Sequence, residues 1–222
     1  MSTVSLPLRN ALRIIDADTA QRRVLIRQLA YSDFRKNSGT ASGGGDYYST
    51  IWSGIKKHVS EEADLSVFIT EKIAQNTKLG NSYTDLAQSF LKWWNEKRRW
   101  INRPYKLESN PPHGNFTIQK PDIQIKLKDT LLISLDKNEF RIIYPYFYEE
   151  PQISALNVRL GLWAMHKCLP AFPLTSLRLL DLRRSQSYGS FDTPFQGNEE
   201  KIFEGELEKI RCDWEEARKR YD

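Results

Sequence analysis

The sequence predicts an α+β fold in which a helical N-terminal layer, residues 1–103, is followed over residues 104–222 by a small mixed sheet with a buried helix. The predicted order is helix, three strands, helix, strand, helix. Three observations carry this reading. Apolar residues recur at helical spacing between Tyr47 and Trp100. From Asn115 to Phe147 they fall in short segments rich in β-branched and aromatic residues. The stretch Ile153 to Leu169 is apolar around nearly its whole circumference, as a helix enclosed by other elements must be. In that helix Ile153, Leu156, Leu160, Trp163 and Ala164 form the main stripe, and Val158, Leu162, Met165 and Leu169 fill its flank. Pro151 stands where a helix can open and Pro170 where it must stop. Strand-like segments lie on either side, Phe140–Phe147 and Leu177–Arg183, and strand, helix, strand in one unit reads as a parallel crossover.

Composition narrows the function classes. No apolar run approaches the roughly 20 residues of a membrane-spanning helix, and Met1–Asn10 lacks the basic start and apolar core of a secretory signal, so a cytoplasmic protein is expected. A net charge of +5 favours an acidic partner, of which nucleic acid is the commonest, while a protein partner stays open. The two cysteines, Cys168 and Cys212, are expected as unpaired thiols, with no zinc site. His58, His113 and His166 are scattered and support no nucleophilic triad.

Taken in order, Leu12–Asp16 is predicted as a short strand, with Asp16 or Asp18 capping a helix over Ala20–Ala30. Val24, Leu25, Leu29 and Tyr31 are expected to face inward there, and Arg22, Arg23 and Arg27 outward. Asn37–Asp46 reads as a flexible loop, and its three consecutive glycines lack the Lys-Ser or Lys-Thr ending of a P-loop. Three helical stripes follow: Tyr48, Ile51, Trp52 and Ile55; Leu65, Phe68, Ile69 and Ile73; and Tyr83, Leu86, Ala87, Phe90, Leu91 and Trp94, with Asp64 and Ser82 as helix starts. The last stripe ends in Lys92–Pro104, where cations interleave with indoles. Lys97, Arg98, Arg99 and Arg103 are the candidate phosphate contacts and Trp100 the candidate base-stacking ring, although Trp93, Trp94 and Trp100 cannot share one helix face and at least one is expected in the core.

Pro104–Gly114 reads as a linker. Strands at 115–118, 123–127 and 130–135, a turn at 136–139 and the strand 140–147 are then expected as an antiparallel meander, with Pro145 marking a point where the last strand bends or is not central. Beyond the crossover, Ser185–Pro194 is a loop. Asn198–Tyr221 closes the chain as an amphipathic helix with Ile202, Phe203, Leu207, Ile210 and Trp214 inward.

Pro121-Asp122 opens one predicted strand, Glu139-Phe140-Arg141 begins another, and Arg159 and Trp163 lie four apart on the buried helix. With this order of elements, the chain from about Tyr83 to Tyr221 resembles the PD-(D/E)xK nuclease fold, in its RecB-like, restriction-endonuclease-like branch. The resemblance implies Asp122, Glu139 and Arg141 as the catalytic set, with Asp122 and Glu139 binding magnesium. The chain departs from the pattern where Arg141 replaces a lysine, because arginine cannot give up its proton and serve as a base. Arg159 and Trp163 stand for the branch's glutamine and tyrosine. The expected function is therefore a nucleic-acid-associated accessory protein on a nuclease fold whose chemistry is degenerate. Two alternatives stand beside it: a protein-interaction subunit that touches no nucleic acid, and an active metal-dependent nuclease.

Overall fold

A computed structural model describes residues 3–39, 46–136 and 139–221. The run Gly43–Gly45 and the middle of the 136–139 turn lie outside the described residues. The chain forms β1 (Val4–Pro7), α1 (Leu8–Asp16), α2 (Thr19–Asn37), α3 (Ser49–Val59), α4 (Leu65–Gln75), α5 (Gly80–Lys92), β2 (Lys106–Leu107), β3 (Gly114–Ile118), β4 (Ile123–Leu127), β5 (Leu131–Asp136), β6 (Glu139–Tyr146), α6 (Ala155–Cys168), β7 (Leu177–Asp181), β8 (Gln186–Tyr188) and α7 (Glu199–Arg218). The fold class is α+β.

The predicted crossover is present. β6 and β7 run parallel, with Ile142 opposite Leu177 and Tyr146 opposite Asp181, and α6 connects them. Within α6, Leu160 is fully buried and Trp163 nearly so, while Leu156, expected in the same stripe, is exposed. The helix is started by Ser154, whose hydroxyl accepts from Asn157 N at 3.1 Å, and Pro151 lies in the loop before that cap. The same chemistry starts α4, where Asp64 accepts from Val67 N at 3.0 Å, and α2, where Asp18 accepts from Ala20 N and Gln21 N at 2.8 Å each. Helix α5 begins at Gly80, two residues ahead of Ser82, whose hydroxyl instead accepts from Arg183.

The strands divide differently from the predicted meander. β3 and β4 form a hairpin whose third strand is β1, parallel to β4, so four residues from the start of the chain complete this sheet. β5 and β6 belong to a second sheet of order β2-β5-β6-β7-β8. Pro145 lies beyond the last residue of β6 that pairs with β5, so its missing N–H interrupts no ladder on that side.

The five-stranded sheet is covered on both faces. Ile143, Phe147, Leu180 and Leu182 pack with Leu131 and Ile133 against α3, α4 and α5. Ile142, Tyr144, Tyr146, Leu177 and Leu179 join a core that includes α1, α6, α7 and the three-stranded sheet. β1 and α1, from residues 1–103, belong to the same core as residues beyond 104. Close approach fixes this core at Gly114, where any side chain would collide with the backbone carbonyl of Cys168.

Two N-terminal expectations are corrected. Leu12–Asp16 is helix, because Leu8, Ala11 and Leu12 already set a helical spacing of buried residues that begins one turn earlier. On α2, Ile26 and Ala30 are buried and Leu25 and Leu29 pack against the core as expected, while Val24 and Tyr31 are exposed. Arg22 points inward because α7 offers it Asp213 at 2.7 Å and Glu206 at 3.8 Å, and these carboxylates make the interface hospitable to a guanidinium. Among the described residues no helix is long and apolar enough to cross a membrane. Both cysteines are free, and burial pushes the Cys168 thiol up to about 12.

Arg159 Nε lies 3.1 Å from Glu199 Oε1, an ion pair in distance but not aligned as a hydrogen bond. Both side chains are buried, and Glu199 also accepts from Gln196 N at 2.6 Å and Gly197 N at 3.0 Å. Burial alone would raise the Glu199 carboxyl, but the backbone N–H donors and Arg159 outweigh it and the group is held below its ordinary value. A lowered folded-state value contributes stability that is complete above the unfolded value of about 4.3 and is lost as pH falls through the folded one. Glu199→Gln is expected to destabilise by about 3 kcal/mol at neutral pH, with the difference from wild type shrinking below about pH 4. Denaturant titrations across the acid range check this, and a pH-independent difference contradicts it.

Candidate nucleic-acid interface

Helix α5 does not stop at Lys92 but widens into a π turn over Trp93–Lys97, closed by Arg98 N donating to Trp93 O at 3.0 Å. The extra residue in that turn brings two consecutive indoles inside. Trp93 donates from Nε1 to Ser187 Oγ at 3.0 Å, and Trp94 stacks on Phe90 with ring centres 5.7 Å apart. Trp100 is buried as well, edge-on to Trp94 at 5.4 Å. The Arg98 guanidinium carbon lies 3.8 Å from the ring centre of Trp94, 4.7 Å from that of Trp100 and 5.1 Å from that of Tyr105.

This placement corrects the reading of two candidate residues. Trp100 is not available to stack a base, since it is 7% exposed and packed against Trp94, Tyr105 and Arg98. Arg98 is enclosed by the three rings, and burial pushes its guanidinium below its ordinary value. It fastens residues 100–105 beneath the end of α5. The reason is that Trp94 and Arg98, four residues apart, lie on one side, and the chain leaves the helix at Arg98 and turns, which brings Trp100 back onto them.

The other three candidates face outward and join a row of cations. Lys97 and Arg99 are exposed, and Arg99 is ion-paired with Asp192. Arg103 Nη1 lies 2.7 Å from Glu139 Oε2, and Arg141 Nη2 lies 2.5 Å from Glu139 Oε1. Arg178 is part-buried and donates to the carbonyls of Thr175 at 2.9 Å and Leu177 at 2.7 Å. Burial lowers the Arg178 guanidinium from its ordinary value, and repulsion from Arg141 and Arg99 lowers it further, against the pull of Asp192. Arg141 Nε is buried without a partner. Among the described residues, Arg103 and Arg141 thus share Glu139 and Arg99 takes Asp192, and Glu139 is held below the ordinary carboxylate range first by its bond from Arg103, then by Arg141.

One end of this row opens into a cleft of about 410 Å³ lined by Trp93, Lys97, Arg99, Gln186, Ser187, Tyr188 and Asp192, among others. Its floor is the edge strand β8. A tight turn follows that strand, in which Asp192 N and Thr193 N both donate to Gly189 O at 3.0 Å and Gly189 N donates to Asp192 Oδ2 at 3.0 Å. Glycine at 189 lets the Arg178 guanidinium pack directly beneath the turn, and a side chain there would push that guanidinium aside.

Of the set implied by the nuclease resemblance, Glu139 and Arg141 are in contact and Asp122 is elsewhere. Asp122 lies in the β3–β4 turn of the three-stranded sheet, where its carboxylate accepts from Thr3 Oγ1 at 3.0 Å. Both Glu139 oxygens are engaged by arginines, so Asp122 and Glu139 do not fit a magnesium ion in this arrangement. Among the described residues, no group of three or more His, Cys, Asp or Glu side chains is placed to hold a metal. Arg159 is committed to Glu199 and Trp163 to the core. The chain matches no known protein-family model and no curated protein.

Arg178 and Asp192 are site residues that the sequence reading passed over. Arg178 leaves a signal, as the cation in the otherwise apolar start of Leu177-Arg-Leu-Leu180; Asp192 leaves none, since an aspartate in a polar loop looks like any other. The two classes of arginine separate by experiment. Arg98→Ala is expected to cost about 2 kcal/mol of stability, the scale of a desolvated cation–π contact, read as a fall in the denaturant midpoint. Arg99→Ala is expected to leave that midpoint within about 0.5 kcal/mol, as for an exposed surface change.

Proposed function

We propose that this protein is a nucleic-acid-associated accessory protein that holds a phosphate backbone along the row Lys97, Arg99, Arg178, Arg141 and Arg103. The observation that carries the reading is that Arg178 lies within repelling range of both Arg141 and Arg99, whose partners among the described carboxylates are Glu139 and Asp192. Like charges crowded into a partly desolvated place are costly to a folded chain, and a polyanion relieves that cost. Guanidinium groups suit the task, because their planar forks match phosphate oxygens. The reading assigns no cleavage step, since Glu139 and Asp192, the described carboxylates paired with the row, are each engaged by arginine.

The test is a fluorescence-anisotropy titration with labelled duplex DNA at two salt concentrations. Affinity is expected to fall steeply with salt through counterion release, and Arg99→Ala with Arg103→Ala to flatten the slope by about two units for a duplex. Arg98→Ala is expected to leave the slope unchanged in protein that remains folded. Undetectable binding at micromolar protein and low salt, to duplex and single strand alike, overturns the reading and leaves a protein-interaction subunit in its place.

A further inference from the structure

The surface around the cleft carries information beyond charge. Phe191 is 75% exposed, the most exposed large apolar side chain among the described residues. It stands at the tip of the 189–193 turn, which is held by three hydrogen bonds and underpinned by Arg178 packed against Gly189. Its neighbour Asp192 lines the cleft and pairs with Arg99. An aromatic ring is therefore presented to solvent on a fixed support, outside the cleft lining itself but next in sequence to the residue that pairs with Arg99. Away from the cations, the cleft is lined by neutral hydrogen-bonding groups, those of Ser185, Gln186, Ser187, Tyr188 and Thr193.

We infer that the preferred ligand is a single-stranded nucleic acid, with one base stacked on Phe191 at the mouth of the cleft beside β8 and the adjoining phosphates on Lys97 and Arg99. This rests on the nucleic-acid reading above and names the form of the polymer. A cleft of about 410 Å³ is the size of a site for one small group. A flexible strand can feed a nucleotide into it; a duplex keeps its bases stacked on each other and presents no free ring face. Cations that follow a backbone together with an aromatic platform are the two parts that binding without sequence preference requires. The neutral side chains within the cleft give base edges donors and acceptors without adding charge. Two of the row's cations, Arg141 and Arg178, are recessed at the sheet end, where a bending single strand reaches more readily than the rigid outer surface of a duplex.

The test compares a labelled oligothymidylate strand with a mixed-sequence duplex, using the full chain and Phe191→Ala, Phe191→Trp, and Arg99→Ala with Arg103→Ala. Phe191 is exposed, so its replacement is not expected to unfold the protein. Phe191→Ala is expected to weaken the single strand by about 5- to 100-fold and the duplex by less than about twofold, with Phe191→Trp restoring single-strand affinity. Unchanged single-strand affinity in Phe191→Ala, or equal losses for strand and duplex, overturns the inference. If the double arginine variant still loses affinity for both ligands, the nucleic-acid reading itself survives. Absence of binding to either oligonucleotide removes both, as does tighter binding of an acidic polyglutamate peptide than of the strand.

Discussion

Because β6 and β7 are parallel neighbours joined through a buried helix, residues near the starts of both strands fall at one end of the sheet, and alternation then decides which face they share. Arg141 is two residues before Ile143, and Ile143 is directly opposite Arg178. Both arginines therefore point toward the layer formed by α3, α4 and α5, at the margin where its hydrophobic contacts end. The end of α5 comes down on the same margin and brings Lys97, Arg99 and Arg103 within reach. An antiparallel pairing would have placed the starts of the two strands at opposite ends, and no common row of cations would form.

Much of this frame is readable in sequence, because the signals are local and redundant. The helix over Ala155–Cys168 is apolar around most of its circumference, the strand before it is β-branched and aromatic and the strand after it leucine-rich, and Asp18 and Asp64 cap where aspartate ahead of an apolar period should. The partition of strands between two sheets is not readable. It depends on Val4–Pro7 finding Ile123–Lys126 across more than a hundred residues, and nothing in either segment names the other. The phase of α2 was hidden for a related reason: Arg22 faces inward only because Asp213 and Glu206 on α7 stand opposite it.

The candidate site was half legible. Cations between indoles mark Lys92–Arg103 as unusual, yet an indole that stacks a base and one that fills a core are the same residue, and a single π turn decides between them. That turn draws Trp94, Arg98, Trp100 and Tyr105 into one interior cluster and leaves Lys97 and Arg99 outside. The solvent-facing aromatic in this region is then Phe191, about ninety residues further on, placed there by the β7–β8 hairpin and the glycine that follows it. The nuclease resemblance, drawn from an order of elements and three short motifs, stops at the same kind of limit, with Glu139 and Arg141 together and Asp122 on the other sheet.

A second basic surface competes with the cleft beside β8. Between α2 and α7, Arg23, Arg27 and Arg220 border a hollow of about 240 Å³, but Asp213 and Glu216 share its lining. Tyr31 and Tyr221, with ring centres 5.4 Å apart, stand on the same pair of helical segments. Photocrosslinking to a single strand substituted with 5-iodouracil, which couples to nearby aromatic rings, separates the two surfaces in one measurement. Digestion and mass mapping of the crosslinked chain should find the label on Phe191 or Tyr188; label confined to Tyr31 and Tyr221 would contradict the assignment of the interface to the arginine row and its cleft.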